Sequence, residues 1–288
     1  MWIFLLHLME KLILTTKDQF QLTIHLFKPE RSNGKVLIIN SATGVKQQVY
    51  FSIAQFFSEN GFTVITYDYG GIGLSKPKKM RGFKASMRTW GNEDFKTVTE
   101  FIIKNYPNYR KFCLGHSVGA LIVGMNENSK IFEQLIFVAT QNAFIGNLKG
   151  KTKWEAFFGF GFAQPFFTEL FGYFPAHWFG LGESLPKNCA YDWRTLILNK
   201  KSTGKLLLKT NDYSKELTQK VLVLYAEDDV WLTDKGVKSL LDDVYSNLKP
   251  DYRLLQTAES EKGEIGHVNF FRNYNKKLWK IILNEIKN

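Results

Sequence analysis

The chain has 288 residues, enough for one large domain or two small ones at roughly 150 residues per domain. Hydrophobic residues make up 44% and charged residues 23%, so a sizeable core is expected and general disorder is not. The net charge of +11, from 38 Lys and Arg against 27 Asp and Glu, is scattered and carries no nucleic-acid-binding motif, so it reads as a solvated basic surface.

The opening "MWIFLLHLMEK" has an apolar part too short for a transmembrane helix and lacks the basic start and cleavage site of a signal peptide. Met9 offers an alternative start, and residues 1–8 are expected to add nothing to the fold. "KLILTT" and "FQLTIHLFKP" read as a hairpin, and "KVLIIN" as a buried strand. A helix through "QQVYFSIAQFFSEN" follows, stopped by Gly61, and then the strand "FTVITYDY". After a Gly-rich turn and a helix through "EDFKTVTEFIIKNY" come the apolar strands "KFCLGH" and "EQLIFVAT". The helix "SVGALIVGM" separates them. "KVLVLYAE", a helix from about Asp234, the strand "DYRLLQTA" and the closing helix "NKKLWKIILNEIKN" complete the set. Apolar strands alternating with helices predict an α/β fold, with a mostly parallel sheet covered on both faces.

The alternation breaks between about Gln141 and Gln219. Residues 141–218 read as a helical, aromatic-rich insertion at the C-terminal edge of the sheet, between a core domain made of residues 9–140 and 219–288. Ligands bind α/β sheets at that edge. Within "WEAFFGFGFAQPFFTELFGYFPAHWFG", Glu155, Gln164, Glu169 and His177 argue against a membrane span, and Pro165 and Pro175 against one unbroken helix. Phe157, Phe158, Phe160 and Phe162 do not keep one helical stripe. The expectation is therefore an irregular cap of two or more short helices, with Phe157, Phe162, Phe166 and Trp178 facing a ligand. Weak contact of this cap with a membrane surface is a further expectation.

The strongest local signal is Gly115-His116-Ser117-Val118-Gly119, a G-x-S-x-G between an apolar strand and an apolar helix. Its glycines allow the sharp turn that lifts a serine hydroxyl clear of the sheet. Such a serine needs a base, and the base an orienting acid. Of the five histidines, His7 lies in the doubtful start, His25 in a strand, His116 inside the turn itself and His177 in the aromatic insertion. His267, in the Gly-bearing loop "EKGEIGHVNFF" before the last helix, is the candidate base. Asp228 and Asp229 follow a late strand and are the candidate acids. The cysteines Cys113 and Cys189 show neither disulfide-framework nor zinc spacing, so a reducing, cytoplasmic setting without metal or organic cofactor is expected.

With these residues in place, the chain resembles the α/β-hydrolase superfamily over nearly its whole length. The order Ser117, Asp229, His267 is that superfamily's order, and its strand-end spacing favours Asp229 over Asp228. "YDYGGIGLS" resembles its D-x-R-G-x-G-x-S segment through Asp68, Gly71, Gly73 and Ser75, with Gly70 replacing the usual arginine. More narrowly, "INSATGV", "YDYGGIGLSKP", "GHSVGA" and "LFGYFPAHWFGLGESLP" are similar to a bacterial group of α/β-hydrolases often labelled serine aminopeptidase (S33)-like. The resemblance implies a cap between the sixth and seventh strands. It also implies an oxyanion hole from the amides of Val118 and Ala42, with Ser41 or Thr43 as alternatives because Asn-Ser replaces the usual His-Gly. The implied activity is that of a serine hydrolase acting on an ester, thioester or amide, and the aromatic cap favours a substrate with an apolar acyl or aryl part. An acyltransferase or a non-catalytic ligand-binding protein on the same scaffold are the competing classes.

Overall fold

A computed structural model describes residues 9–287. Residues 1–8, and with them His7 and the reading of the N-terminal segment, lie outside the described residues. Eight strands form one sheet: β1 (Met9–Thr15), β2 (Gln21–Phe27), β3 (Lys35–Asn40), β4 (Thr63–Tyr67), β5 (Arg110–His116), β6 (Gln134–Val138), β9 (Lys220–Ala226) and β10 (Lys249–Leu255). The two-residue strands β7 (Tyr173–Phe174) and β8 (Leu185–Pro186) pair separately. The order across the sheet is β1-β2-β4-β3-β5-β6-β9-β10. β1 and β2 form the expected antiparallel hairpin, β2 runs antiparallel to β4, and every later pairing is parallel.

The helices are α1 (Phe51–Glu59), α2 (Lys96–Asn105), α3 (Val118–Leu121), α4 (Gly150–Phe158), α5 (Gln164–Phe171), α6 (Lys187–Leu198), α7 (Thr203–Leu207), α8 (Asp234–Asp243) and α9 (Lys276–Ile286). Because side chains alternate along a strand, each central strand feeds two cores. Leu37, Ile39, Phe112, Leu114, Ile136, Val138, Leu222 and Leu224 pack with Ile53 and Phe57 of α1 and Trp279 and Ile282 of α9. Val36, Ile38, Cys113, Leu135, Phe137, Val221 and Val223 pack on the other face with Val98 of α2, Leu121 of α3 and Leu240 of α8. Both faces are thus covered, as the continuous apolar strands predict. The architecture is the α/β-hydrolase fold.

The 141–218 region leaves the sheet after its sixth strand and returns at its seventh. Its helices differ from the expected short, irregular pieces. α4 and α5 join through one wide π-helical turn, Gly159–Ala163, in which the Gln164 N–H bonds to the Gly159 carbonyl. Pro165 sits just past that turn. It has no N–H to give, and its ring would crowd the carbonyl four residues back, so the wider turn lets the helix pass a proline that would otherwise break it. No helix among the described residues is long and apolar enough to cross a membrane.

Candidate active site

The parallel strands end on one edge, and the loops after them carry the residues singled out in the sequence. β5 runs into α3 through Ser117, whose φ of 53° and ψ of −117° lie where only glycine is comfortable. Such a conformation costs on the order of 1–3 kcal/mol and persists only where surrounding packing enforces it. The packing here depends on two glycines. A β-carbon on Gly115 would come within 2.6 Å of the Ala120 backbone, and one on Gly119 within 2.3 Å of the Asn40 carbonyl oxygen. The turn is therefore pressed against its own helix and against the end of β3. Ser117 stays partly exposed, and its N–H donates to Val138 at 2.9 Å.

Asp229, in the loop after β9, and His267, in the loop after β10, meet across that edge. Asp229 Oδ2 accepts from His267 Nδ1 at 2.7 Å. The Asp229 side chain is fully buried, and its Oδ1 accepts from the Trp231 N–H at 2.9 Å. This hydrogen bond puts the ring proton on Nδ1 and leaves Nε2 as the basic nitrogen. Asp228 is used differently. Its two oxygens accept from the N–H groups of Ile265 and Gly266, at 2.9 and 2.8 Å. It pins the loop, whereas Asp229 pins the ring.

His116, next to Ser117, is completely buried. Its Nε2 lies 2.8 Å from the His267 carbonyl oxygen, which can only accept, so Nε2 carries the proton. Nδ1 therefore accepts from the Tyr50 hydroxyl at 2.8 Å. Burial first, and the neighbouring His267 second, hold the His116 pKa well below its ordinary value, which agrees with this neutral form. Tyr50 Oη in turn accepts from the Ala42 N–H at 2.8 Å. One chain of bonds thus ties the loop after β3 to the histidine loop. Tyr50 and His116 have no local sequence signal for this role, because their partners lie 66 and 151 positions away.

This network corrects one expectation. The Ala42 amide, expected in an oxyanion hole, already has a side-chain oxygen in front of it. Thr43, the alternative in the same loop, lies on the cavity wall, as do Ala42 and Val118. Ser41 instead faces inward, with its carbonyl accepting from the Tyr69 hydroxyl at 3.0 Å.

Ser117, His267, Val118 and Thr43 line a cavity of about 550 Å³. The sheet supplies one wall and the 141–218 region the other, through Leu148, Leu181, Trp193, Leu196 and Ile197. The N–H of Glu183 donates to the Gly44 carbonyl at 2.8 Å and holds the two walls together. Glu183 is the one carboxylate among the described residues of the lining, and it pairs with Lys76 and, at 3.8 Å, with Lys46.

The aromatic residues expected at the ligand are elsewhere. Phe157, Phe162, Phe166 and Trp178 do not line the cavity and are exposed. The reason is the phase of the helix. Ala156, Phe160, Gln164 and Thr168 turn toward the protein, which rotates the guessed residues outward. His177 is also exposed, bonded to Ser184 at 3.0 Å, and His25 is buried against Gln47 at 2.9 Å. The Cys113 thiol is fully buried and pushed up by desolvation, as suits a packing residue.

Comparison with known proteins agrees with this fold. Residues 32–156 match the family model of the serine aminopeptidases, S33. No curated protein sequence matches the chain significantly. Among solved structures, a highly thermostable carboxyl esterase from Bacillus coagulans is similar with a TM-score of 0.64 and 13% identity, over 97% of this chain and 98% of that one. An esterase from Pyrococcus furiosus gives a TM-score of 0.61 and 13% identity, over 97% and 89% of the two chains. An α/β serine hydrolase from Xanthomonas campestris, described as without lid, gives 0.56 and 13%, over 97% and 94%. The sheet order, the turn at Ser117 and the match over residues 32–156 converge: this chain has the α/β-hydrolase fold and, over residues 32–156, is similar to the S33 serine aminopeptidases.

Proposed function

We propose that the protein hydrolyses carboxylic esters, or thioesters, with an apolar acyl or aryl part, through a Ser117–His267–Asp229 triad and an acyl-enzyme. The observation that carries this reading is the 2.7 Å bond from His267 Nδ1 to a buried Asp229, with Ser117 in the wall of the same cavity. In this mechanism His267 Nε2 takes the Ser117 hydroxyl proton as Oγ bonds to the carbonyl carbon. The carbonyl oxygen becomes an anion, received by the N–H groups of Val118 and Thr43. Collapse of the tetrahedral species breaks the bond to the leaving alcohol or thiol, which His267 protonates. Water then gives its proton to His267, attacks the acyl carbon and releases the acid, and the proton returns to Ser117.

An ester is favoured over the N-terminus of a peptide by charge. A free α-ammonium group needs an unpaired carboxylate in the cavity, and Glu183 is already matched by two lysines. The apolar wall of Leu148, Trp193, Leu196 and Ile197 suits an acyl chain or an aryl ring. In this reading the 141–218 region acts as the cap that selects it. The test is a fluorophosphonate probe together with p-nitrophenyl esters of graded chain length, run on wild type and on Ser117→Ala. Wild type should be labelled and turn over, and the variant should do neither, with kcat lower by about 10⁴-fold or more. Equal labelling of both would remove Ser117 from the mechanism.

A further inference from the structure

A helix on a protein surface ordinarily turns large apolar residues inward and polar ones outward. The helix from Gly150 to Phe171 departs from this by also turning a row of large apolar residues outward. Trp154, Phe158, Phe162, Phe166 and Leu170, every fourth residue, are each 54% to 64% exposed. The stripe facing the protein is Ala156, Phe160, Gln164 and Thr168. Gln164 Oε1 has no hydrogen-bond partner among the described residues, although its amide nitrogen reaches Thr168 Oγ1 at 3.3 Å. Successive residues four apart drift around an α-helix, and the wide turn at Gly159–Ala163 takes up that drift, so the exposed row stays on one side.

The exposed rings touch one another. Ring centres are 6.5 Å apart for Trp154 and Phe158, 6.3 Å for Phe158 and Phe162, and 6.1 Å for Phe157 and Phe162. Past the end of the helix the surface continues through Phe171 and Trp178, 5.2 Å apart, to Phe179. From there the chain passes directly into Gly180, Leu181 and Gly182, which line the cavity. Exposed aromatic rings grouped in this way differ from the single apolar residues normal on a surface. The helix is also charged, and its two carboxylates, Glu155 and Glu169, are each ion-paired, with Lys151 at 3.1 Å and with Lys187 at 2.7 Å. Lys149, Lys151 and Lys153 are exposed at the start of the helix, where cations oppose the helix dipole, so helix stability does not account for them. Only Lys151 has an ion-pair partner, Glu155 at 3.1 Å, among the described residues.

We propose that this face docks on a lipid surface with anionic headgroups. The aromatic row enters the boundary between headgroups and acyl chains, the lysines meet the headgroup phosphates, and the cavity opens beside the lipid along the Trp178–Gly182 edge. Docking stands on the exposed chemistry alone. Delivery of an apolar substrate from the lipid to Ser117 rests on the ester reading given above.

The test is co-sedimentation of the full-length protein with vesicles of phosphatidylcholine alone and with vesicles that also contain phosphatidylglycerol, in low and in moderate salt. Wild type and Ser117→Ala should both bind the anionic vesicles, and more weakly as salt rises. Phe158→Ser combined with Phe162→Ser should weaken binding about a hundredfold, since each ring removed from water is worth roughly a factor of ten. Lys149→Glu combined with Lys153→Glu should erase the preference for anionic vesicles. All these variants except Ser117→Ala should hydrolyse a water-soluble short-chain ester like wild type. An inactive wild type that still binds vesicles overturns the ester reading and leaves docking standing. Failure of wild type to bind anionic vesicles overturns docking. So does a dimer in sedimentation velocity that the Phe158/Phe162 variant converts to monomer, because the face would then belong to a second copy of the chain.

Discussion

Replacing Asp94 by asparagine isolates the cost of a buried carboxyl that has no cation beside it. The segment Asp68–Ser75 resembles one that carries an arginine where this chain has Gly70, and Gly70 meets Asp94: its N–H donates to Asp94 Oδ2 at 2.7 Å. Asp94 is 5% exposed and has no ion-pair partner among the described residues. Burial pushes its pKa up from 3.8 to about 7, the Gly70 N–H acts against the rise, and Asp18 and Glu93 add to it. Below the unfolded value both folded and unfolded chains hold the proton, and the group costs nothing. As pH rises, the unfolded chain releases the proton first, so stability falls until the folded carboxyl ionises as well, near pH 7. The two pKa values differ by roughly 3 units at about 1.4 kcal/mol each, a full cost of about 4 kcal/mol above that pH. The amide of Asp94→Asn keeps an oxygen for the Gly70 N–H and never ionises. Urea unfolding of both proteins across a pH series should therefore show the variant gaining on wild type, by about 2 kcal/mol near pH 5 and about 4 kcal/mol near pH 8. A stability difference that stays constant with pH refutes the reasoning.

Two further outcomes follow from the site. Asp229→Asn should lower kcat by about 10⁴-fold through loss of the ring's tautomer, whereas Asp228→Ala should cost about tenfold or less in kcat and about 2 kcal/mol of stability, through two orphaned amides. Steady-state kinetics with unfolding curves checks both, and the reverse ranking of the two kcat losses would exchange their roles. Trp193→Ala should open the acyl wall and raise the long-chain to short-chain ratio of kcat/KM by about tenfold, with an unchanged ratio over a graded ester series arguing that the chain lies elsewhere.

The alternation of apolar strands and helices was legible in the sequence because it is local: a strand buried on both faces must be apolar throughout, and the helix between two such strands must carry an apolar face. The Ser117 turn was legible for the same kind of reason, since Gly115 and Gly119 are the only residues that tolerate its close contacts, with Ala120 and with Asn40. The resemblance to the α/β-hydrolases pointed to Asp229 over Asp228, and the loop before the last helix offered His267; the structure places the two in contact. What depends on partners far apart in the chain was not legible. That Tyr50 occupies the Ala42 amide, and that Glu183 reaches the cavity as a carboxylate already paired, are set by loops packed against each other. In the aromatic stretch the sequence determined that large apolar side chains would recur, but both stripes of the helix from Gly150 to Phe171 repeat every fourth residue. Only tertiary structure decided which stripe faces water. The wide turn at Gly159–Ala163 sets the phase, and contact with α6 buries Phe160, 4.9 Å from Trp193, while Phe158 and Phe162 are left outside.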